Sequence, residues 1–101
     1  GEYVSCQELQ TELSIRGGME AFLGSIGDMP EAESDSITYR FWVNQRGIID
    51  RYELQTSEAS SVSGVSDTFN IAIEEGLTFE PVFKPGQAVP VVCDISFPLK
   101  N

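Results

Sequence analysis

Residues 89–99 read VPVVCDISFPL, a segment with an apolar side chain at every second position. These apolar residues are Val89, Val91, Cys93, Ile95, Phe97 and Leu99. Because successive side chains of a β-strand point to opposite faces, this period of two predicts a long final strand with one buried face. Pro90 and Pro98 share the opposite parity and lack the N–H group that a ladder on both sides would use. We therefore expect part of this strand to lie at the edge of a sheet.

A β-hairpin is predicted in the middle of the chain. Over residues 37–44, apolar residues at 37, 39, 41 and 43 alternate with residues at 38, 40, 42 and 44. This period of two indicates a strand with one buried face. Residues 44–47, NQRG, then form a turn that ends in glycine, and a partner strand follows over residues 49–54. Its apolar residues at 49 and 52 are three positions apart, which places them on opposite faces of a regular strand. A β-bulge near Asp50 and Arg51 would return both side chains to the same face. Irregular pairing is the alternative.

A first helix is predicted before the hairpin. Over residues 19–26, apolar side chains recur at i, i+3, i+4 and i+7, which is the spacing of one helix face. Gly27 and Pro30 end this helix, and the polar residues 30–36 form an exposed loop. Residues 1–16 form an N-terminal arm without a clear period, which leaves its structure open between a helical turn and an extended segment.

A second helix is predicted after the hairpin. Residues 56–66 are rich in serine and indicate a loop, at the end of which Ser66 or Asp67 can cap a helix. An apolar stripe at helical spacing then runs over residues 65–77, and Gly76 provides a stop signal.

Together these elements predict an α+β fold, in which a small antiparallel sheet packs against two helices. The sheet consists of the hairpin and the long C-terminal strand. A chain of 101 residues with 41% hydrophobic content fits one compact domain with a single core. We assign residues 17–101 to this domain and residues 1–16 to the arm.

The composition excludes several classes of function. Sixteen acidic residues stand against 6 basic ones, and the formal net charge of −10 repels both nucleic acid and anionic membrane surfaces. The chain contains no histidine, which excludes Ser-His-Asp and Cys-His catalysis and any zinc site built on imidazole. No glycine-rich phosphate loop is present either. We therefore predict that the protein is not an enzyme.

The two cysteines leave two alternatives open. Cys6 and Cys93 could form one disulfide in an oxidising compartment or remain free thiols. The position of Cys93 on the apolar face of its strand favours a buried core thiol, because apolar burial raises the pKa of a thiol and suppresses its reactivity.

Two acidic clusters offer oxygen ligands for a hard cation. They are Glu31, Glu33 and Asp35, and Glu74, Glu75 and Glu80. Neither cluster matches the spacing of a calcium-binding loop, so solvated surface charge is the favoured interpretation. We predict no metal site and no cofactor.

Four short stretches share a pattern with a known family. Residues 17–23 read GGMEAFL and residues 40–49 read RFWVNQRGII. Residues 79–91 read FEPVFKPGQAVPV and residues 95–97 read ISF. With the order helix, hairpin, helix and final strand, they resemble the C-terminal domain of the TonB energy-transducer family over roughly residues 17–99. The glycines that usually precede the first hairpin strand of that family are missing.

The resemblance implies a function and a location. It implies a periplasmic module that docks an extended segment of an outer-membrane TonB-dependent transporter by adding it as a strand to a sheet edge. It also implies contact with inner-membrane motor proteins through an N-terminal region that this sequence does not contain. A homodimer is left open, and the acidic surface predicts a basic partner segment.

The predicted partner-binding site combines the edge of the final strand with two side chains of the hairpin. Backbone N–H and C=O groups of an edge strand can bond to an added peptide largely regardless of its sequence. Arg40 and Trp42 share the strand face opposite Tyr39 and Phe41, unless the helices cover that face instead. The predicted site residues are Val89, Val91, Val92, Cys93, Asp94, Ile95, Ser96, Phe97, Arg40 and Trp42.

Two other functions remain as alternatives. One is a stand-alone peptide-binding or protease-inhibitor-like module without a role in energy transduction, since many unrelated functions share this architecture. The other is an extracytoplasmic enzyme accessory that uses acidic residues, which predicts a cation bound by Glu31, Glu33 or Asp35.

Overall fold

The computed structural model describes residues 2–27, 35–55 and 59–99, with residues 59–63 described by their backbone alone. Within these ranges the helices and strands form an α+β fold, as predicted. In chain order they are β1 Val4–Ser5, α1 Cys6–Leu9, α2 Met19–Ile26, β2 Ser36–Val43, β3 Ile49–Leu54, α3 Ala59–Gly76, β4 Val82–Lys84, β5 Gln87–Val89 and β6 Val91–Pro98.

The main sheet has four strands in the order β1-β6-β2-β3. The final strand β6 lies antiparallel to β2 along its whole length, from the pair Val43↔Val91 to the pair Ser36↔Pro98. β2 and β3 form the predicted antiparallel hairpin, whereas β1 lies parallel to β6. The sheet is therefore mixed, because the arm contributes a strand that the sequence pattern did not reveal.

The predicted final strand is divided at its start. Val89 ends β5, which pairs with β4 in a separate two-stranded sheet, and β6 begins at Val91. Pro90 lies between them, where it lacks an N–H and restricts the residue before it. The turn before β5 contains Gly86 with φ 92°, and it folds the chain so that Val89 pairs with Val82. The prediction of one strand from Val89 onward is therefore wrong at its first residue.

One face of the sheet forms the core with α2 and α3. Tyr39, Phe41 and Phe97 on this face are fully buried. Phe22 from α2 and Phe69 from α3 place their ring centroids 5.4 and 5.2 Å from that of Phe97. Aromatic pairs at such distances contribute about 0.5–1.5 kcal/mol beyond the area they bury. The helices are thus fixed to the sheet by one aromatic cluster, and the predicted apolar faces of both helices are confirmed.

Both helices end as predicted, but α3 begins earlier. α2 is followed by Gly27 with φ 78°, and α3 ends at Gly76. The predicted serine-rich loop over residues 56–66 overlaps α3 from Ala59, so Ser66 and Asp67 lie inside the helix. Val65 is 1% exposed, one turn before Phe69. Burial of this side chain favours a longer helix, because serine costs at most about 0.7 kcal/mol relative to alanine at a helical position.

The predicted β-bulge is confirmed in the hairpin. Trp42 pairs with Arg51 and Val43 pairs with Ile49, so Asp50 is the extra residue on β3.

The turn between β2 and β3 is held by two residues. The side-chain oxygen of Asn44 accepts hydrogen bonds from the backbone N–H groups of Arg46 and Ile48. Gly47 has φ 84°, and its carbonyl accepts from the N–H of Phe79 at 2.9 Å. The turn is therefore fastened to the segment that follows α3.

The sequence left the arm open between a helical turn and an extended segment, and the structure contains both. β1 is extended, and the single helical turn of α1 follows it, with Ser5 as N-cap and Gln10 in the left-handed region at its end. Farther along, Ile15 bridges to Phe79. The arm therefore belongs to the same folded body as residues 17–99.

Cys6 and Cys93 form a disulfide, with their Cα atoms 5.2 Å apart. The expectation of a buried free thiol at Cys93 is therefore wrong. The reason is the parallel register of β1 on β6, in which Val4 lies opposite Val91 and Ser5 lies opposite Val92. One further step along both strands brings the two cysteines together.

We expect Gly47→Ala to lower the free energy of unfolding by at least about 2 kcal/mol. A Cβ atom at this position would lie 1.8 Å from the carbonyl oxygen of Phe79, and the φ of 84° is unfavourable for any side chain. Urea unfolding followed by Trp42 fluorescence measures the change. The matched control is Gly24→Ala in α2, where a Cβ meets nothing within 4 Å. It should stabilise the protein by about 0.5–1 kcal/mol, and equal effects of the two variants would contradict the close approach.

Stability should also fall above pH 10, because of Tyr39. Burial raises the pKa of Tyr39 above its ordinary value of 10.0, and its hydroxyl donates to the side-chain oxygen of Asn70 at 2.7 Å. The folded state keeps this phenol neutral while the unfolded state ionises, so its stabilisation is complete below pH 10 and declines as the pH rises. Tyr39 alone should account for a loss of roughly 1 kcal/mol between pH 9 and pH 11.

Denaturant unfolding at several pH values between 9 and 11 tests this, with Tyr39→Phe as the comparison. In the variant the free energy of unfolding should still decline with pH, but less steeply than in the original protein. The remaining decline comes from Tyr52, whose pKa is raised to about 12 by burial and by a hydrogen bond to Glu74. A slope that is unchanged in Tyr39→Phe would contradict the assignment.

Candidate functional site

β6 is paired unequally on its two sides. β2 covers one side completely, whereas on the other side β1 pairs only with Val91 and Val92. No strand within the described ranges pairs with residues 94–98 on that second side, which we call the free flank. The expectation that part of the final strand lies at a sheet edge is therefore met for its second half. For Val91 and Val92 the expected edge is already occupied by the arm.

The hydrogen-bonding groups of the free flank follow from the register of the ladder. The carbonyl of Thr38 accepts a hydrogen bond from the N–H of Gln55. The backbone N–H and C=O groups of even-numbered residues in β2 therefore point towards β3, and those of odd-numbered residues point towards β6. Odd-numbered residues of β2 pair with odd-numbered residues of β6, whose backbone groups consequently point towards β2. The backbone groups of the even-numbered residues of β6 point away from β2. On the free flank Asp94 and Ser96 therefore each present an N–H and a C=O, whereas Pro98 presents only a C=O.

A groove of about 1020 Å³ runs along the free flank. We call it the edge groove. Asp94, Ile95 and Ser96 line it on the β6 side, and residues 11–13 of the arm line it on the other. Met19 at the start of α2 adds an apolar group. A volume of this size is at the upper end of the range for pockets that bury small ligands, and it leaves room for an extended chain segment.

Seven of the ten predicted site residues line the edge groove. They are Arg40, Trp42, Val92, Cys93, Asp94, Ile95 and Ser96. Val89, Val91 and Phe97 do not line it, and their side chains are 4%, 1% and 0% exposed in the core. Cys93 lines the groove only as half of the disulfide. A role in binding for these side chains stays a prediction, and their burial favours packing instead.

Arg40 lies on the outer face of the sheet, away from α2 and α3. Its guanidinium donates two hydrogen bonds to the carboxylate of Asp94 on the neighbouring strand, at 2.7 and 3.1 Å. These hydrogen bonds and the charge of Asp94 raise the pKa of Arg40. Both side chains are nearly half exposed, so solvent screens the ion pair and it adds little to stability. It fixes the position of the Asp94 side chain beside the free flank.

Trp42 also lies on the outer face, partly buried. The guanidinium of Arg51 is 4.3 Å from the centre of its ring, within the range of a cation–π interaction. Tyr39 and Phe41 lie on the opposite, helix-covered face. The predicted division of the two strand faces is therefore confirmed.

Sequence reasoning missed the arm side of the edge groove. The missed residues are Ser5, Cys6, Gln7, Thr11, Glu12, Leu13 and Met19. Residues 5–13 have no period that indicates what they contact. The cysteine pair is the one signal that could have placed them, because a Cys6–Cys93 bond brings the arm beside β6.

The opposite edge of the sheet is less suited to docking. β3 carries the bulge at Asp50, and the charged residues Arg51 and Glu53 form an ion pair along it. Bulges and charges of this kind interrupt strand addition at exposed edges. The groove between β3 and the end of α3 has a volume of about 390 Å³, less than half that of the edge groove.

The described residues offer no metal site. Within them no group of three or more histidine, cysteine, aspartate or glutamate side chains is placed to hold an ion. Glu31 and Glu33 lie outside the described residues, so the cation expected of the enzyme-accessory alternative is untested there. In the second acidic cluster, Glu74 accepts a hydrogen bond from Tyr52, and Glu80 lies 3.7 Å from Arg16.

Within the described ranges, no helix combines the length and the apolar character that crossing a bilayer requires. Among known proteins, no family model, no curated protein and no solved structure matches this chain. The resemblance to the TonB C-terminal domain therefore rests on the quoted residues and on the order of elements.

Proposed function

We propose that this protein is a binding module that adds an extended segment of a partner protein to β6 as a further strand. The observation that carries the proposal is the free flank at residues 94–98 beside the open edge groove. The backbone groups of Asp94 and Ser96 there face away from β2, in the orientation that a docking strand needs.

The energetics favour an extended ligand. Each backbone hydrogen bond to an added strand contributes about 0.5–1.5 kcal/mol net, so a few bonds in a row give moderate affinity. Ile95 and Met19 offer apolar contacts to alternate side chains of the ligand, and Trp42 offers an aromatic surface at the outer rim of the groove.

By the resemblance, the ligand is a segment of an outer-membrane TonB-dependent transporter, and the location is the periplasm. The disulfide supports an extracytoplasmic location, because disulfides persist in oxidising compartments. The family assignment is carried by the quoted stretches of sequence, and in the structure β4 and β5 stand between α3 and β6. Contact with inner-membrane motor proteins, through a region outside this sequence, belongs to the same proposal.

The prediction that the protein is not an enzyme stands beside this proposal. It rests on the absence of histidine from the chain. In this proposal the exposed ion pair of Arg40 and Asp94 contributes to recognition of the ligand.

We expect Ser96→Pro to weaken peptide binding by roughly 2- to 10-fold, the equivalent of one lost backbone hydrogen bond. Proline removes the N–H that faces the free flank, while the bonds to β2 come from odd-numbered residues and remain. Pro98 already occupies an equivalent position. The matched control, Ser96→Ala, keeps the N–H and loses only the hydroxyl that contacts Thr38.

The measurement is calorimetric titration with N-terminal segments of outer-membrane transporters from the source organism. An acetylated hexapeptide of alternating valine and lysine serves as a generic strand, and its N-methylated form cannot donate the backbone bonds. Equal binding of the methylated and unmethylated peptides would exclude strand addition. Binding of the generic strand without any transporter segment would favour the stand-alone alternative.

The charge of the protein predicts that binding depends on salt. A formal net charge of −10, with Glu12 and Asp94 in the edge groove, favours a basic ligand. Affinity for the valine–lysine hexapeptide should fall as sodium chloride is raised from 50 to 500 mM, because screening shortens the Debye length from about 14 to about 4 Å. A valine–glutamate hexapeptide is the control and should bind more weakly at low salt. An affinity for the lysine peptide that does not change with salt would rule out charge complementarity.

A further inference from the structure

The arm lies on the same side of β6 as the free flank. It covers the residues of β6 that come directly before the free flank. Val4 and Ser5 pair with Val91 and Val92, and the N–H of Val4 donates to the carbonyl of Pro90 at 2.9 Å. By the alternation of the ladder, Val92 also turns its backbone groups towards the arm. The arm therefore occupies the positions that a longer docked strand would use.

Few noncovalent contacts hold this part of the arm. β1 has two residues, and the hydroxyl of Tyr3 donates to the carboxylate of Asp50 at 2.7 Å in an exposed position. The Cys6–Cys93 bond follows immediately, and both cysteines are less than a tenth exposed. A pairing this short is marginal without additional support, so the covalent bond is the main tie that keeps β1 on β6. The later part of the arm is held separately, because Leu9, Leu13 and Ile15 pack against the core.

We propose that the Cys6–Cys93 disulfide is a redox clamp that sets the length of the docking edge. A dithiol reductant supplies two electrons and two protons: the S–S bond breaks, each cysteine becomes a thiol, and the dithiol is oxidised to a disulfide. β1 then leaves β6 and uncovers the carbonyl of Pro90 and the backbone groups of Val92. The edge open to a ligand grows from residues 94–98 to residues 90–98.

The edge groove is the side from which a reductant can approach the bond, since the cysteines retain exposed fractions of 7% and 5%. Cys6 and Cys93 both line it, at the end where the free flank meets β1. A thiolate can attack a disulfide only where it can reach a sulfur atom. A small dithiol or the active site of a thiol–disulfide exchange protein is therefore the class of reductant that fits.

Amide hydrogen exchange of the full chain tests the clamp without any ligand. We compare the oxidised protein with the same protein reduced by dithiothreitol. On reduction the Val92 amide should exchange at least about 10-fold faster, while the Ile95 and Phe97 amides, which bond to β2, should change less than about 2-fold. An unchanged Val92 amide would overturn the proposal. Equal acceleration of all three amides would also overturn it, because the disulfide would then hold the whole fold.

Binding of peptides of two lengths tests the consequence for docking, which rests on the proposed function. Acetylated valine–lysine peptides of four and eight residues are titrated into both redox forms. The longer peptide should bind at least about 5-fold more tightly to the reduced form, while the shorter one should bind both forms equally. If the arm is released and the longer peptide gains nothing, the clamp does not set the edge length. If neither peptide binds either form, the proposed function fails, and the exchange experiment alone decides whether the clamp exists.

Discussion

The antiparallel ladder between β2 and β6 is the interaction on which the structure depends. It runs for eight paired residues on each strand, and it joins segments separated by about half of the chain. Its register puts Tyr39, Phe41 and Phe97 on one face, where α2 and α3 cover them. The same register puts Arg40 opposite Asp94 on the outer face. A shift by one residue would exchange the two faces, so core packing and the position of the free flank are set together.

The two edges of the sheet differ in the features that hinder pairing with another strand. Exposed strand edges invite unwanted pairing, and β3 meets this risk with a bulge and with charged side chains. β6 has no bulge on its free flank and carries one charged residue there, Asp94, which pairs with Arg40. Pro98 limits how far pairing can extend, and the arm covers the first residues of β6. A net charge of −10 opposes contact between two copies of the chain. The less protected edge of β6 is thus compatible with a protein that accepts foreign strands without pairing with itself.

Much of the fold follows from local patterns in the sequence. The period of two in residues 37–43 and 91–97 identified β2 and β6, and the apolar spacing of 19–26 identified α2. The bulge at Asp50 followed from a single break in alternation. These features depend on neighbours in the chain, which a sequence displays directly. The start of α3 could not be predicted in this way, because burial of Val65 in the tertiary structure extends the helix beyond the expected cap. The arm side of the groove depends on contacts with β6 about 87 residues away, and no period records them. The sequence therefore predicted the strand that forms the site but not the arm that limits it.

The contact between Gly47 and Phe79 is made mostly by backbone atoms. The amide of Phe79 bonds to the carbonyl of Gly47, and the arm reaches the same place through the bridge of Ile15 to Phe79. Three distant segments meet there, and the guanidinium of Arg16 also donates to the carbonyl of Phe79. Position 47 has no room for a methyl group. A side chain at position 47 would therefore displace the segment after α3 as well as the turn. We therefore expect any protein that keeps this hairpin and this junction to keep a glycine at the end of the turn, even where the surrounding sequence differs.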